Sequence, residues 1–177
     1  MGTGLEIPAP TLRRLRFRVE YDGTGYCGWQ AQVGQRTIQE ELERALEAVT
    51  RVHSRVTGAG RTDTGVHASG QVAHVDTTTK LSMDALERGV NAMLPPTIAI
   101  RHLDVAPPDF HARRSARSRT YRYRIVNRRE RSPLRATMAL HVRALLDHVR
   151  MSHAATLLEG EHDFRYFGTA PGNAGHE

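Results

Sequence analysis

One stretch of the chain concentrates its chemistry: Gly58-Ala59-Gly60-Arg61-Thr62-Asp63-Thr64-Gly65-Val66-His67. A single carboxylate, Asp63, stands between glycines, with an arginine two residues before it. Glycine reaches backbone conformations closed to other residues, so the stretch reads as a tight loop that presents side chains rather than burying them. A carboxylate on such a loop serves as an acid, a base, a nucleophile or a ligand. Asp63-Thr64-Gly65 matches the aspartic-protease tripeptide, but that chemistry needs two carboxylates sharing a proton, from two copies or a dimer. Only one copy occurs, and Gly60-Arg61-Thr62 precedes it instead of an apolar strand. Gly58-Ala59-Gly60 lacks the later glycine and helix start of a dinucleotide loop, and no Gly-Lys-Ser/Thr follows. A purely structural alternative has Asp63 capping its own turn. The ten histidines contain no His-x-x-x-His pair, and one cysteine, Cys27, forms neither a zinc cluster nor an internal disulfide. No metal site is expected.

The elements that must position this loop alternate between strand and helix. Leu15, Phe17, Val19 and Tyr21 share one face of residues 14–21, while Arg14, Arg16, Arg18 and Glu20 share the other. That period of two predicts a strand with one buried and one charged face. Asp22-Gly23-Thr24-Gly25 ends it as a turn. Thr37-Ile38-Gln39-Glu40 has capping-box spacing, and Ile38, Leu42, Ala45, Leu46 and Val49 follow at helical spacing, predicting a helix over 38–51. A short strand at 55–57 leads into the loop, and 71–77 reads as the next strand. Ser82 caps a second helix that Pro95-Pro96 stops, and 97–105 is another strand. Strand, helix, strand, strand, helix, strand is the split β-α-β order of ferredoxin-like (RRM-like) domains, common among RNA-binding modules. The fold class is therefore α+β: a ferredoxin-like domain over 12–106, then a second α/β domain over 107–167. Residues 1–11 and 168–177 read as a disordered leader and tail.

Charge points to a partner. The chain has 177 residues, a net charge of +6, and only one lysine, Lys80, among 25 basic residues. Such a balance favours polyanions, nucleic acid first, and arginine suits bidentate phosphate binding. Residues 113–135 hold ten arginines against one acid, Glu130. Within them Tyr121, Tyr123 and Ile125 alternate with Arg122 and Arg124, predicting a strand with aromatics on one face and cations on the other, a pattern suited to bases and phosphates. Tyr123 suits a core position. Arg113, Arg114, Arg119, Arg122 and Arg124 are the RNA-contact candidates. A third helix is expected over 143–159, with Gly160 as its C′ residue. Residues 1–10 lack the apolar run of a signal peptide, so a soluble, cytoplasmic protein without a membrane partner is the expectation.

Gly60-Arg61-Thr62-Asp63-Thr64-Gly65-Val66-His67-Ala68 resembles the active-site loop of the tRNA pseudouridine synthase A family. The Tyr21-Asp22-Gly23…Gly28-Trp29-Gln30 segment, Thr37-Ile38-Gln39-Glu40, Gly70-Gln71-Val72-Ala73-His74, Asn91-Ala92-Met93-Leu94-Pro95, Asp109-Phe110-His111-Ala112-Arg113 and Tyr121-Arg122-Tyr123 are similar to family motifs in the family's order. The resemblance spans about residues 12–167. It implies isomerisation of uridine to pseudouridine in the anticodon stem-loop of tRNA. Asp63 would attack or assist at C1′, Arg61 would support it, and Tyr121 would stack on the flipped uracil. It further implies no cofactor and a homodimer as the working unit. Members of the family continue well beyond the segment matched by Asp163-Phe164-Arg165-Tyr166-Phe167, so the resemblance also implies a shortened chain with an incomplete, poorly stabilised second domain.

Overall fold

The computed structural model describes residues 11–167. The expected leader, apart from residue 11, and the expected tail lie outside the described residues. The chain divides after Thr120 into two compact units.

The first unit follows the hydrophobic pattern of its sequence. Strand β1 (Arg13–Tyr21) buries Leu15, Phe17, Val19 and Tyr21 and leaves Arg16, Arg18 and Glu20 exposed. Helix α1 (Ile38–Thr50) starts where Thr37 Oγ1 accepts the Glu40 N–H and ends at Arg51, whose φ is 59°. A two-residue β2 (Thr57–Gly58) leads to the long β3 (Ala68–Thr77). Helix α2 (Met83–Met93) is capped by Ser82 and stops before Pro95, and β4 (Ile98–Val105) closes the set. Every strand pair is antiparallel, in the order β2-β3-β1-β4. Both helices bury their apolar stripes in one core with the sheet, through Ile38, Leu42 and Leu46 of α1 and Leu86 and Val90 of α2. Each such side chain contributes about 1.5–3 kcal/mol by leaving water. Asn91 ties α2 to β4, its Nδ2 donating to the Ile100 carbonyl at 2.9 Å and its Oδ1 accepting the Ile100 N–H at 2.8 Å.

Residues 107–120, assigned from the sequence to the second domain, belong to the first unit. The Arg14 guanidinium donates to the Pro108 and Phe110 carbonyls, and Ala112 is buried. Pro107-Pro108 turns the chain without ending the contacts.

The second unit is sparse. Strands β5 (Ile125–Asn127) and β6 (Leu140–Val142) pair in parallel over three residues each. Helix α3 covers His148–Thr156. Two sequence expectations need correction here. Residues 121–124 form no strand, because β6 supplies ladder partners only from Ile125 onward; Tyr123 is 91% exposed and fills no core. The helix is shorter than 143–159, because Asp147 captures the Arg150 N–H and sets the N-cap there, and Gly160 lies beyond the Leu157 cap. No described side chain of this unit is buried, so it has no apolar core of its own among the described residues.

Candidate active site

The Asp63 loop joins β2 to β3, and an earlier segment grips its backbone. Ala59 N donates to Val72 O at 2.8 Å, Trp29 N to Thr62 O at 2.9 Å, and Gly65 N to Tyr26 O at 3.3 Å. Val66 N donates to Asp63 O, closing a turn in which Gly65 takes a φ of 79°. The Tyr21–Gln30 segment lies this close because it carries glycines. A Cβ at Gly28 would stand 2.5 Å from Thr62 O, and one at Gly23 would stand 2.0 Å from Val66 O. Gly58 serves Trp29 in the same way, since a Cβ there would meet the indole at 2.7 Å.

Thr62 is held from both sides of its residue. Its carbonyl accepts from Trp29 N, and its hydroxyl meets the buried Tyr21 hydroxyl at 2.8 Å. Burial pushes the Tyr21 phenol above its ordinary value, against a smaller lowering from the Thr62 bond. At the other end of the loop, Gly23 N donates to His67 Nδ1 at 3.2 Å, and that nitrogen lies 2.9 Å from Asp22 Oδ1. Hydrogen bonds from Thr24 hold the Asp22 carboxyl below its usual range.

Asp63 follows this fixed Thr62, and its side chain is exposed. Among the described residues its carboxylate forms no ion pair. Arg61 is likewise exposed and is not paired with it. An exposed arginine–carboxylate pair gains too little to fix both side chains.

The five candidate arginines differ. Arg113, Arg114, Arg122 and Arg124 are exposed. Arg119, also exposed, donates from Nη2 to Ala59 O at 2.8 Å and to Arg113 O at 3.2 Å, bracing the start of the Asp63 loop. The charged face of β1 is largely committed internally: Arg14 makes a two-bond pair with Asp76 at 2.6 and 2.7 Å, and Arg16 lies 3.6 Å from Asp104. Arg14 holds the Asp76 carboxyl below its usual range. Tyr121 opens the second unit as an aromatic ring 76% exposed. The bracing roles of Tyr21, Gly28 and Trp29 were missed from sequence, although their clustering just after a strand was the available signal. Among the described residues no cluster of ligands suited to a metal occurs, and no helix is long and apolar enough to cross a membrane.

Residues 18–113, which include the gripping segment and the whole Asp63 loop, match the family model for tRNA pseudouridine synthase. The chain belongs to this family. It is 49% identical over 154 residues to a tRNA pseudouridine synthase A of Methylococcus capsulatus, an alignment covering 87% of this chain and 57% of that relative. A tRNA pseudouridine synthase A of Chloroflexus aurantiacus is 47% identical over 90% of this chain and 57% of its own length. One from a Geobacillus species is 45% identical over 89% and 64% respectively. The chain thus spans about three fifths of the length of the curated relatives it matches.

Proposed function

We propose that the chain carries the catalytic loop of an enzyme that isomerises uridine to pseudouridine in tRNA, in the anticodon stem-loop, with Asp63 as the reacting carboxylate. The observation that carries this reading is an exposed, unpaired carboxylate one residue beyond a threonine fixed through both its carbonyl and its hydroxyl. The held backbone fixes where the carboxylate starts from, and carboxylates serve at glycosidic carbons. In the proposed reaction Asp63 attacks C1′ or assists departure of the uracil as the C1′–N1 bond breaks. The base turns, C5 bonds to C1′ as any Asp63–C1′ bond breaks and frees the carboxylate, the C5 proton leaves and N1 takes up a proton. Atoms balance, so no redox or electrophilic cofactor is required.

Tyr121 is proposed as the platform for the flipped uracil, a role its exposed ring suits. Stacking worth about 1–3 kcal/mol per base would offset much of the few kcal/mol needed to unstack a nucleotide. Arg61 is proposed to support Asp63 once substrate excludes water, because ion pairs strengthen as the local dielectric falls. Arg113, Arg114, Arg122 and Arg124 are the proposed phosphate contacts, with Arg119 acting on the loop backbone as well. The ferredoxin-like description of the first unit is supported by its strand order, and its two-domain partner, the homodimer and a cytoplasmic location follow from the family resemblance. Release of tritium from C5-labelled uridine in tRNA, lost on Asp63→Ala, tests the assignment.

A second reading has a specific observation behind it. The second unit buries no described side chain. In this reading the chain is an RNA-binding fragment with impaired catalysis. Binding of tRNA without any tritium release would select it.

A further inference from the structure

Residues 107–120 run back along the first unit as a strap; one imidazole pins it to the sheet and a second turns its backbone. Arg14 begins the attachment, accepting the Ala106 N–H at its carbonyl and donating to Pro108 O at 2.6 Å and Phe110 O at 2.9 Å. Ala112, 1% exposed, then donates its N–H to Nδ1 of the buried His74 at 3.2 Å. One residue earlier, His111 Nδ1 accepts the N–H groups of Arg113 and Arg114, each at 3.3 Å. The His74 and His111 rings stand 4.9 Å apart, with Phe110 edge-on to His74. Farther along, Arg119 reaches Ala59 O and Arg113 O. A backbone N–H only donates, so each Nδ1 facing one must present a lone pair. Both rings are therefore neutral, with their proton on Nε2.

We infer that His74 and His111 are positioning residues: through Nδ1, His74 pins the strap to β3 and His111 turns it so that it sets Arg113 and Arg114 and delivers Arg119 to the Asp63 loop, and protonation of His74 unpins it. The geometry stands by itself; the effect on RNA binding rests on the function proposed above. The charged groups around the rings are Arg14 on β1 and Asp76 on β3, paired with each other, and Asp109, Arg113 and Arg114 on the strap. Arg16, opposite His74 in register, is paired with Asp104, and β2 presents the backbone of Thr57. Burial first, then the nearby His111 and Arg14, lowers the His74 imidazole from its ordinary 6.5, while Asp76 opposes them weakly. A depressed imidazole stabilises the pinned strap above that ordinary value, and the contribution is lost as pH falls toward the lowered folded value.

Nitrogen-15 spectra of the histidines in the intact chain read the tautomers directly. Both rings should show an unprotonated Nδ1 at about pH 7.5, and an Nδ1–H tautomer at either ring overturns the inference. The functional arm compares the native chain with His74→Asn, whose amide oxygen takes the place of Nδ1 and does not titrate. The two should bind tRNA alike at about pH 7.5. As pH falls below the ordinary imidazole value, the native chain should weaken progressively relative to His74→Asn, by up to about fivefold, the factor for one net hydrogen bond. Parallel pH profiles overturn the inference. Expected tautomers and an exchange-protected Ala112 amide, together with no tRNA binding at any pH, uphold the pinned strap and refute the RNA reading instead.

Discussion

Gly28→Ala should both destabilise the first unit and misplace Asp63, and a second glycine supplies the control. Gly28 has a φ of 82°, and a Cβ there would lie 2.5 Å from Thr62 O and 3.2 Å from the Asp63 carbonyl carbon. Gly34 has a φ of 72°, but a Cβ there meets nothing within 4 Å. Both substitutions incur the left-handed backbone cost of roughly 1–2 kcal/mol. Both regain about 0.4–1 kcal/mol because alanine stiffens the unfolded chain. Only Gly28→Ala adds overlap with a backbone held by its own hydrogen bonds, worth about 1–3 kcal/mol more. At about 4 °C per kcal/mol for a unit of this size, Gly28→Ala should melt roughly 4–12 °C below Gly34→Ala. To reach ordinary contact at 3.4 Å from 2.5 Å, the loop must retreat by about 0.9 Å. A displacement near 1 Å at a reacting group lowers turnover by up to about 100-fold. Thermal unfolding by circular dichroism and tritium release from C5-labelled tRNA measure the two effects. Equal melting temperatures for the two variants, with equal turnover, would refute the claim that Gly28 lets the earlier segment brace the Asp63 loop.

Other outcomes follow from the same contacts. Asn91→Ala leaves the Ile100 N–H and C=O without their side-chain partner and should cost about 1–3 kcal/mol in denaturant unfolding, with no change in tRNA affinity. Tyr21→Phe removes the bond to Thr62 and should lower thermal stability by about 1 kcal/mol while reducing turnover. Arg14 lowers the Asp76 carboxyl, so that pair stabilises the fold above the ordinary carboxylate value of 3.8 and the contribution disappears as pH falls through the lower folded value. The stability gap between the native chain and Asp76→Asn should therefore close between about pH 5 and about pH 2.

The first unit was legible because local and global signals agree there. The alternation in β1, the Thr37 capping box and the Ser82 cap each name an element that the sheet and core then accept. The Asp63 loop was legible as a loop, whereas its rigidity was not. That rigidity comes from Trp29, Tyr21 and Tyr26, at least 33 residues away in sequence, and glycine spacing alone does not say which backbone approaches which. The tyrosine–arginine alternation over 121–124 failed as a strand signal because side-chain alternation states which faces a strand would have, not whether a neighbour supplies hydrogen bonds. Helix α3 was overextended for a related reason: Leu145 and Leu146 fit the helical period, but Asp147 caps the helix after them and Leu146 N is taken by Asn127 Oδ1. On the charged face of β1, Arg14 and Arg16 pair with Asp76 and Asp104, partners that lie on other strands and are invisible to a local reading.

The central claim is that Asp63 is the carboxylate that reacts at the uridine glycosidic bond. Tritium release from tRNA labelled at uridine C5, measured for the native chain and for Asp63→Ala side by side, tests it most directly. Because the Asp63 side chain is exposed and forms no ion pair among the described residues, the substitution should leave the unfolding free energy within about 0.5 kcal/mol of the native value. The account predicts release by the native chain and none by Asp63→Ala, with tRNA affinity unchanged. Release that persists in Asp63→Ala would contradict it.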